Sequence, residues 1–237
     1  MTAISATRSA ATPAIAMAAT ADAKPARKRL QPAERRAIIL QTALKLFAQQ
    51  HYSIVTVRDI AQACGINVGL LYHYFDNKDD LVRRALGHAI EQLVVSYEAR
   101  RAAGLEPLAE ILAWLDTHIE LAATLEQMVK LMADYANSNI RDEEIDGLIA
   151  GFYDGEKRVL EGALRRGIEA GRFGPLDVPR VARRIGLMLD GIFYASASRR
   201  DDRIEDDIRD LADLVGGMLG VGDGAAAGHR AERRKEP

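Results

Sequence analysis

Aromatic and polar side chains crowd into one short segment, Thr56–Leu81, which also contains two glycines. Within it Tyr72, His73 and Lys78 supply a phenol, an imidazole and an ammonium group over seven residues. Groups of this kind form hydrogen bonds with phosphate oxygens and with the edges of bases. These residue types at this spacing therefore predict the recognition of a nucleic acid.

The segment that holds these side chains has the pattern of two short helices. Thr56 can cap a first helix, and Gly65 can end it because glycine readily adopts positive φ. Asn67 can cap a second helix, on which Leu71 and Phe75 lie four residues apart and face inward. A helix, a three- to four-residue turn with glycine and a second helix form a helix-turn-helix motif, whose second helix enters the major groove of DNA.

The run Gly65–Phe75, followed by Lys78 and Leu81, resembles the DNA-binding domain of the TetR family of bacterial repressors. The family pattern is glycine, an aliphatic residue, a small capping residue, a Leu-Tyr pair, an aromatic residue or histidine, Phe and then Lys. An amphipathic first helix at about Pro32–Gln50 extends the resemblance to about a quarter of the chain. Tyr74 departs from the pattern, because the family most often carries His there.

The resemblance implies a set of DNA contacts. Tyr72 and Lys78 match positions that contact phosphates. His73 is the side chain that we expect to read a base edge. Thr56 can offer its hydroxyl and amide to a phosphate or act only as a helix cap, and Val68 can contact a thymine methyl or pack inward. The predicted DNA-binding residues are Thr56, Val68, Gly69, Tyr72, His73, Tyr74 and Lys78.

The charge of the chain is unevenly distributed. Residues 24–85 carry eleven Lys or Arg against five Asp or Glu, a net charge of +6, so the overall charge of −2 leaves −8 elsewhere. A basic segment joined to an acidic one suits a protein that places one end on DNA, although an ordinary solvated surface can show the same split.

Composition and periodicity predict an all-α fold. The resemblance implies a three-helix helix-turn-helix head at residues 30–78 and a larger helical regulatory and dimerisation domain at 79–220. Residues 1–29 and 221–237 are expected to be disordered. The N-terminal segment ends in the basic residues Lys24, Arg27, Lys28 and Arg29, which could follow the DNA backbone or only improve solubility.

The remaining sequence features concern the compartment. The Ala21-Asp22-Ala23 sequence resembles a signal-peptidase site, but the segment before it is too weakly apolar for a secretory signal, and Met17 could be an alternative start. No apolar run approaches the ~18 residues of a membrane span. Cys64 is the only cysteine, which favours a reducing compartment and a small buried side chain. We expect a cytoplasmic protein.

Capping residues and prolines divide the second domain into helices. Pro107 opens one helix, Thr124 begins the next, and Asp142 starts a long helix that stops at Gly171. Asp177 caps a further helix, and Asp202 is expected to cap the last one, which ends near residue 219.

The last two helices carry apolar stripes and small residues. Paired with their copies from a second chain, they would form a four-helix dimer interface, and the resemblance favours this over the alternative of an intramolecular core. The predicted interface residues are Ile185, Leu189, Ile192, Phe193, Ile208, Leu211 and Val215.

The middle helices are the expected place of an effector pocket, although ordinary core packing is an alternative for every candidate. Three glycines, Gly147, Gly151 and Gly155, recur every four residues along one helix face, which leaves close helix contact, room for a ligand or a bend as explanations. The candidate pocket residues are Trp114, His118, Met128, Met132, Tyr135, Phe152 and Tyr153.

These observations favour a regulator over an enzyme. The chain has no paired metal-ligand histidines, nucleophile elbow or phosphate-binding loop, so we expect no catalytic residues, metal or cofactor. We expect a homodimeric repressor that binds a palindromic operator on double-stranded DNA and is released by a small hydrophobic or amphipathic effector. The alternative is a regulator of the same fold that activates transcription or responds to a protein partner.

Overall fold

The chain is α-helical throughout the residues that the computed structural model describes, 31–101, 104–139 and 141–220. This part contains nine helices and no strand, which confirms the all-α prediction. No helix in these ranges has the length and apolar character needed to cross a bilayer. The predicted N-terminal arm with Lys24, Arg27, Lys28 and Arg29, and the predicted tail, lie outside the described residues. The helices are α1 (Pro32–Gln49), α2 (Val57–Ala63), α3 (Val68–Tyr72), α4 (Lys78–Arg100), α5 (Pro107–Glu120), α6 (Ala122–Ala136), α7 (Glu143–Glu169), α8 (Val178–Arg199) and α9 (Ile204–Met218).

Helices α1 to α3 pack around large apolar side chains at the N-terminal end of the described chain. Phe47, Ile60, Leu71 and Phe75 are almost fully buried there. We call these three helices, with the loops between them, the head. Burial of whole aromatic and aliphatic side chains is the main driving force for such a small unit, at about 1.5–3 kcal/mol for each.

The head helices begin where the capping residues predict. The side chains of Thr56, Asn67 and Asn77 accept backbone hydrogen bonds from residues 59, 70 and 80, at 3.2, 2.7 and 2.8 Å. Each bond satisfies an amide that has no partner within its own helix. Three side chains therefore fix the starts of α2, α3 and α4.

Helix α4 connects the head to the rest of the protein. It packs against α1 of the head and against α5, α6 and α7. Near its end Tyr97 meets Trp114 of α5 edge to face, with ring centroids 5.0 Å apart. From Pro32 onward the chain forms one compact unit, so the boundary after residue 78 remains a prediction.

Helices α5 to α9 form the larger part of the fold, which we call the core. Here α7 packs against α5 and α8, α8 packs against α6 and α9, and α9 also packs against α5. Glu110 is buried among these helices, where its carboxylate pairs with Arg101 at 3.0 Å and with Arg166. It also accepts a hydrogen bond from the Tyr97 hydroxyl at 3.3 Å. These partners compensate a charge that would otherwise be costly to bury.

Two predicted caps in the core are confirmed and two predicted helix starts are wrong. Asp142 and Asp177 accept backbone hydrogen bonds at the starts of α7 and α8. Helix α6 begins at Ala122 rather than Thr124, because α5 and α6 are separated only by Leu121. Helix α9 begins at Ile204 with Arg203 in the capping position and no side-chain cap, so Asp202 does not cap it.

The predicted dimer-interface residues require a correction, because most of them are buried within the single chain. Only Ile192 of the seven keeps a partly exposed side chain. The apolar stripes of α8 and α9 face the core of their own chain, which leaves little of these side chains for a second copy to contact. Six of the seven are core residues of the single chain, as the alternative interpretation predicted: Ile185, Leu189, Phe193, Ile208, Leu211 and Val215.

The glycine strip of α7 lies on the outer surface. A Cβ atom built on Gly147 or Gly151 would have no described neighbour within 4 Å, and one on Gly155 would meet only the Arg158 side chain at 3.8 Å. Close packing within the described chain therefore does not require these glycines.

Candidate DNA-binding site

Helix α3 is anchored to the head by one face, which leaves the other face free. The preceding turn depends on Gly65, whose φ of +64° lies in the left-handed region that favours glycine. Leu71 of α3 and Phe75 just after it are buried in the head. Tyr72 and His73 follow Leu71 by about 100° and 200° around the helix axis, so their side chains point away from the buried face, and both are exposed.

The exposed side of α3 carries the groups that the sequence predicted to bind DNA. Tyr72 is 52% exposed, so its hydroxyl is accessible. His73 lies at the end of α3, with its ring edge-on to Tyr74 at a centroid distance of 5.7 Å. Gly69 is exposed, and its missing side chain leaves the helix backbone open to close approach.

Two of the predicted contact residues are only partly accessible. Val68 and Tyr74 are half-buried and pack against the apolar core of the head. The inward packing that the sequence left open for Val68 is therefore observed. The ring of Tyr74 adds apolar packing area to the head, and its hydroxyl supplies a polar group.

Thr56 forms a reciprocal capping box with Asp59. The Thr56 hydroxyl accepts from the Asp59 amide at 3.2 Å and donates to the Asp59 carboxylate at 2.7 Å. The same carboxylate accepts from the Thr56 amide at 2.9 Å. These bonds from Thr56 hold the pKa of Asp59 below its usual value. The structural role of Thr56 is thus observed, and its contact with phosphate remains a prediction.

Lys78 already has partners inside the protein. Its Nζ atom donates to the Ser53 carbonyl oxygen at 3.0 Å and lies 5.9 Å from the centre of the Tyr52 ring. Partial burial lowers the pKa of Lys78, and the neighbouring Asp79 opposes that shift. The ammonium group is therefore held at the surface of the head, beside the loop before α2.

Sequence reasoning missed the contacts that attach the head to the core. The Tyr52 hydroxyl donates to Ser138 Oγ at 3.1 Å, and Arg83 pairs with Asp142 at 2.7 Å and Glu144 at 3.0 Å. Both contacts reach the region between α6 and α7. The partners are 86 and 59 residues apart, so no local sequence pattern could have identified them.

The predicted effector residues lie mostly inside the core. Tyr153 is the exposed exception, and its hydroxyl is 3.4 Å from Asp190. The Tyr135 hydroxyl accepts from the Asp142 amide at 2.7 Å and donates to Asp146 at 3.0 Å, so it connects α6 with the start of α7. The buried members of the set are Trp114, His118, Met128, Met132, Tyr135 and Phe152.

Two buried titratable groups lie among these residues. Burial lowers the pKa of His118 to about 4, against the opposing effect of its 2.8 Å hydrogen bond with the Trp114 carbonyl. Burial and the neighbouring Asp190 raise the pKa of Glu156 to about 7, while the nearby Trp114 indole acts in the opposite direction. Both pKa shifts favour the neutral form inside the core.

Known proteins resemble the chain in its helix-turn-helix region and beyond. The sequence profile described as "Bacterial regulatory proteins, tetR family" matches residues 39–85. The HTH-type transcriptional repressor KstR2 of Rhodococcus jostii is 31% identical over 139 residues, which are 59% of this chain and 68% of that protein. The match thus continues well past the head.

Solved structures extend the similarity to the core. The TetR family regulator PfmR of Thermus thermophilus is 27% identical, with a TM-score of 0.63 over 75% of this chain and 96% of its own. The ketosteroid transcriptional regulator KstR2 of Mycobacterium tuberculosis is 25% identical, with a TM-score of 0.63 over 79% of this chain and 96% of its own. The chain therefore belongs to the TetR family and is a DNA-binding transcriptional regulator, not an enzyme.

Proposed function

We propose that the protein is a homodimeric repressor that binds a palindromic operator and is released by a small hydrophobic or amphipathic effector. The observation that carries the DNA-binding part is the exposure of Tyr72 and His73 on a helix that Leu71 and Phe75 anchor from the other side. A rigidly packed helix with polar groups on its open face can enter a major groove without rearrangement.

The exposed groups divide into positioning and reading roles. Tyr72, Lys78 and the start of α2 at Thr56 contact phosphates, which supply affinity without sequence information. His73 reads a base edge, and the bare backbone at Gly69 lets α3 approach the groove closely. Val68 and Tyr74 contribute through their partly exposed edges.

The dimer contact uses the outer faces of α8 and α9 instead of the inner stripes. Leu187 and Tyr194 are exposed on α8 at helical spacing, and Leu214 and Met218 are exposed on α9 four residues apart. Because α8 packs against α9, we place these four side chains on one continuous apolar surface, which we call the outer face. Apolar patches that remain exposed in a single chain are a common mark of protein interfaces.

The effector part of the proposal depends on the core and on the relatives. The buried aromatic and methionine side chains around Trp114 and Met128 make this region apolar and adaptable. The name of KstR2, a ketosteroid regulator, supports an effector of hydrophobic character. A regulator that activates, or that responds to a protein partner, remains the second candidate.

Selection of bound sequences from random double-stranded DNA by the full-length protein tests the DNA-binding part. We expect an enriched two-fold symmetric motif with half-site centres about one helical turn apart. If no motif is enriched, the protein does not bind DNA specifically. If a single asymmetric half-site is enriched, the protein does not bind as a dimer.

Release from the selected operator tests the effector part. Androstenedione and palmitate represent the hydrophobic and amphipathic classes, and fluorescence anisotropy of a labelled operator measures release. We expect at least one of them to release the protein and to raise its Tm. A protein released by neither, while it activates a reporter gene, would favour the second candidate.

A further inference from the structure

Tyr52 and the residue after it support the ammonium group of Lys78. The Tyr52 side chain is buried, and Lys78 Nζ lies 5.9 Å from the centre of its ring, within the range of a cation–π contact. The carbonyl oxygen of Ser53 accepts the hydrogen bond of 3.0 Å from the same Nζ atom. Both contacts come from adjacent residues, so a shift of Tyr52 would displace the whole support of the ammonium group.

The hydroxyl of Tyr52 joins this support to the end of α6. It donates to Ser138 Oγ at 3.1 Å, and Ser138 Oγ donates to the Tyr135 carbonyl oxygen at 2.8 Å. A serine hydroxyl has one hydrogen, so the bond to Tyr135 leaves Ser138 Oγ to act as the acceptor for Tyr52. Rotation of the Ser138 side chain would therefore break at least one of these two bonds.

A second set of contacts joins the end of α6 to α4, the helix that Lys78 begins. The Tyr135 hydroxyl accepts from the Asp142 amide at 2.7 Å, which connects α6 with the start of α7. The Asp142 carboxylate in turn pairs with Arg83 of α4 at 2.7 Å. The contacts form a closed ring that returns along α4 to its first member: Lys78, Tyr52, Ser138, Tyr135, Asp142 and Arg83.

The closed ring restricts the Lys78 side chain before any DNA is bound. A lysine that is free in solvent loses rotamer freedom when it binds a phosphate, and this loss weakens the binding. The support of Lys78 Nζ is connected to α6, to the start of α7 and to α4, so part of this freedom is lost during folding instead. Removing the bond between Tyr52 and Ser138 would open the ring and return that freedom to the lysine.

We propose that Tyr52 and Ser138 are positioning residues for DNA binding, which hold Lys78 where it meets a DNA phosphate. Neither residue needs to touch the DNA, because Tyr52 acts through Lys78 and Ser138 acts through Tyr52. The inference rests on the phosphate contact of Lys78 in the proposed function. It gives a residue of the core, Ser138, a part in an interaction that takes place at the head.

NMR spectroscopy of the full-length protein without DNA tests the positioning step. Protons above the face of an aromatic ring are shifted upfield by its ring current, so the ε-methylene signal of Lys78 reports its place over Tyr52. In Ser138→Ala this signal should move towards that of the exposed Lys157. Ser198→Ala, at an exposed position near the end of α8, is the matched control and should leave the signal unchanged. An unmoved Lys78 signal in Ser138→Ala would overturn the proposal.

Operator affinity, measured by fluorescence anisotropy, tests the consequence for DNA binding. Tyr52→Phe keeps the ring and removes only the hydroxyl, so it should weaken binding about two- to tenfold, the effect of one neutral hydrogen bond. Ser138→Ala should weaken binding by a similar factor. The double variant should bind no more weakly than either single variant, because both changes remove the same bond. Unchanged or increased affinity in either single variant would contradict a positioning role.

A protein that lacks the lysine separates positioning from general support of the head. Because Tyr52 acts through Lys78, Tyr52→Phe should not change operator affinity when it is combined with Lys78→Ala. A loss of the same size with and without Lys78 would mean that the hydroxyl only attaches the head to the core, and the proposal would be wrong. If Lys78→Ala alone leaves operator affinity unchanged, the proposed phosphate contact fails, whereas the NMR signal still decides whether Ser138 positions the lysine.

Discussion

Lys78 Nζ and the Ser53 carbonyl oxygen are joined by a hydrogen bond of 3.0 Å, which brings the start of α4 onto the loop before α2. The bond holds a cationic group on the same head as Tyr72 and Thr56. A phosphate oxygen can replace a carbonyl oxygen as the acceptor, so we propose that Lys78 exchanges this contact for a DNA phosphate.

Replacement of Lys78 tests this role. In Lys78→Ala, operator affinity should fall for every DNA sequence, and the slope of log K against log salt should decrease by about one unit because one phosphate contact is lost. Lys157→Ala, at an exposed position of α7, is the matched control and should leave the slope unchanged. A slope that stays the same in Lys78→Ala would argue that the Ser53 contact is purely structural.

His73 and Tyr72 should differ in what their loss does. His73→Ala should relax the base preference at one position of each half-site, at a cost of about 1–3 kcal/mol for the preferred base. Tyr72→Phe should weaken binding to all sequences equally, because it removes the hydroxyl that we expect to contact a phosphate. Binding-site selection with both variants measures the difference, and an unchanged base profile in His73→Ala would remove it from the reading residues.

The contribution of Thr56 to folding can be measured separately from its contribution to DNA binding. Thr56→Ala removes the hydroxyl that accepts from the Asp59 amide, so it should lower the free energy of unfolding by about 1 kcal/mol. Thr56→Ser keeps the hydroxyl and should keep most of that stability. Urea unfolding of both variants gives the comparison. An alanine variant as stable as the unmodified protein would contradict a capping role.

Introducing a charged residue tests whether the outer face is the dimer interface. Leu187→Asp and Leu214→Asp should each weaken dimerisation at least tenfold, because a carboxylate would be buried against apolar groups of the second copy. Val95→Asp is the matched control, since Val95 is equally exposed but lies on α4. Sedimentation equilibrium measures the dissociation constant. Dimers of unchanged strength in both α8 and α9 variants would show that this surface is not the interface.

Glu156 should make stability depend on pH. Its folded pKa of about 7 lies above its ordinary value of 4.5, so its contribution is fully present below pH 4.5 and is lost as pH rises through about 7. Glu156→Gln should match the unmodified protein at pH 4.5 and exceed its stability by up to about 3 kcal/mol at pH 8.

Urea unfolding at several pH values and one protein concentration checks this difference. His118 acts in the opposite direction, because its lowered pKa removes stability as pH falls from 6.5 towards 4. That contribution is common to both proteins and cancels in the comparison. A stability difference that does not change with pH would contradict the burial of a protonated Glu156.

Local interactions explain what could be predicted from the sequence. The caps at Thr56, Asn67 and Asn77 and the positive φ of Gly65 each depend on residues a few positions away, so their patterns identified the head helices. The cap predicted at Asp202 was wrong, although Asp142 and Asp177 were correct. A capping residue shows that a helix can start there, and tertiary packing decides whether it does.

Long-range contacts explain what could not be predicted. An apolar stripe such as Ile185 and Leu189 shows that a helix face is buried, but it does not show whether the same chain or a second copy covers it. The pairs Tyr52–Ser138 and Arg83–Asp142 leave no periodic signal at all.

The unbroken course of α4 has a mechanical consequence. Its 23 residues make it about 34 Å long, and it runs without interruption from Lys78, which contacts the loop before α2, to Arg100, which pairs with Glu120 of α5. A rotation of about 10° at the core end would carry the other end sideways by about 6 Å, half the ~12 Å width of a major groove. Packed helices can slide by such small angles without losing their contacts. If the proposed function holds, a small movement of α4 in the core would therefore be enough to displace the head from its register on the DNA.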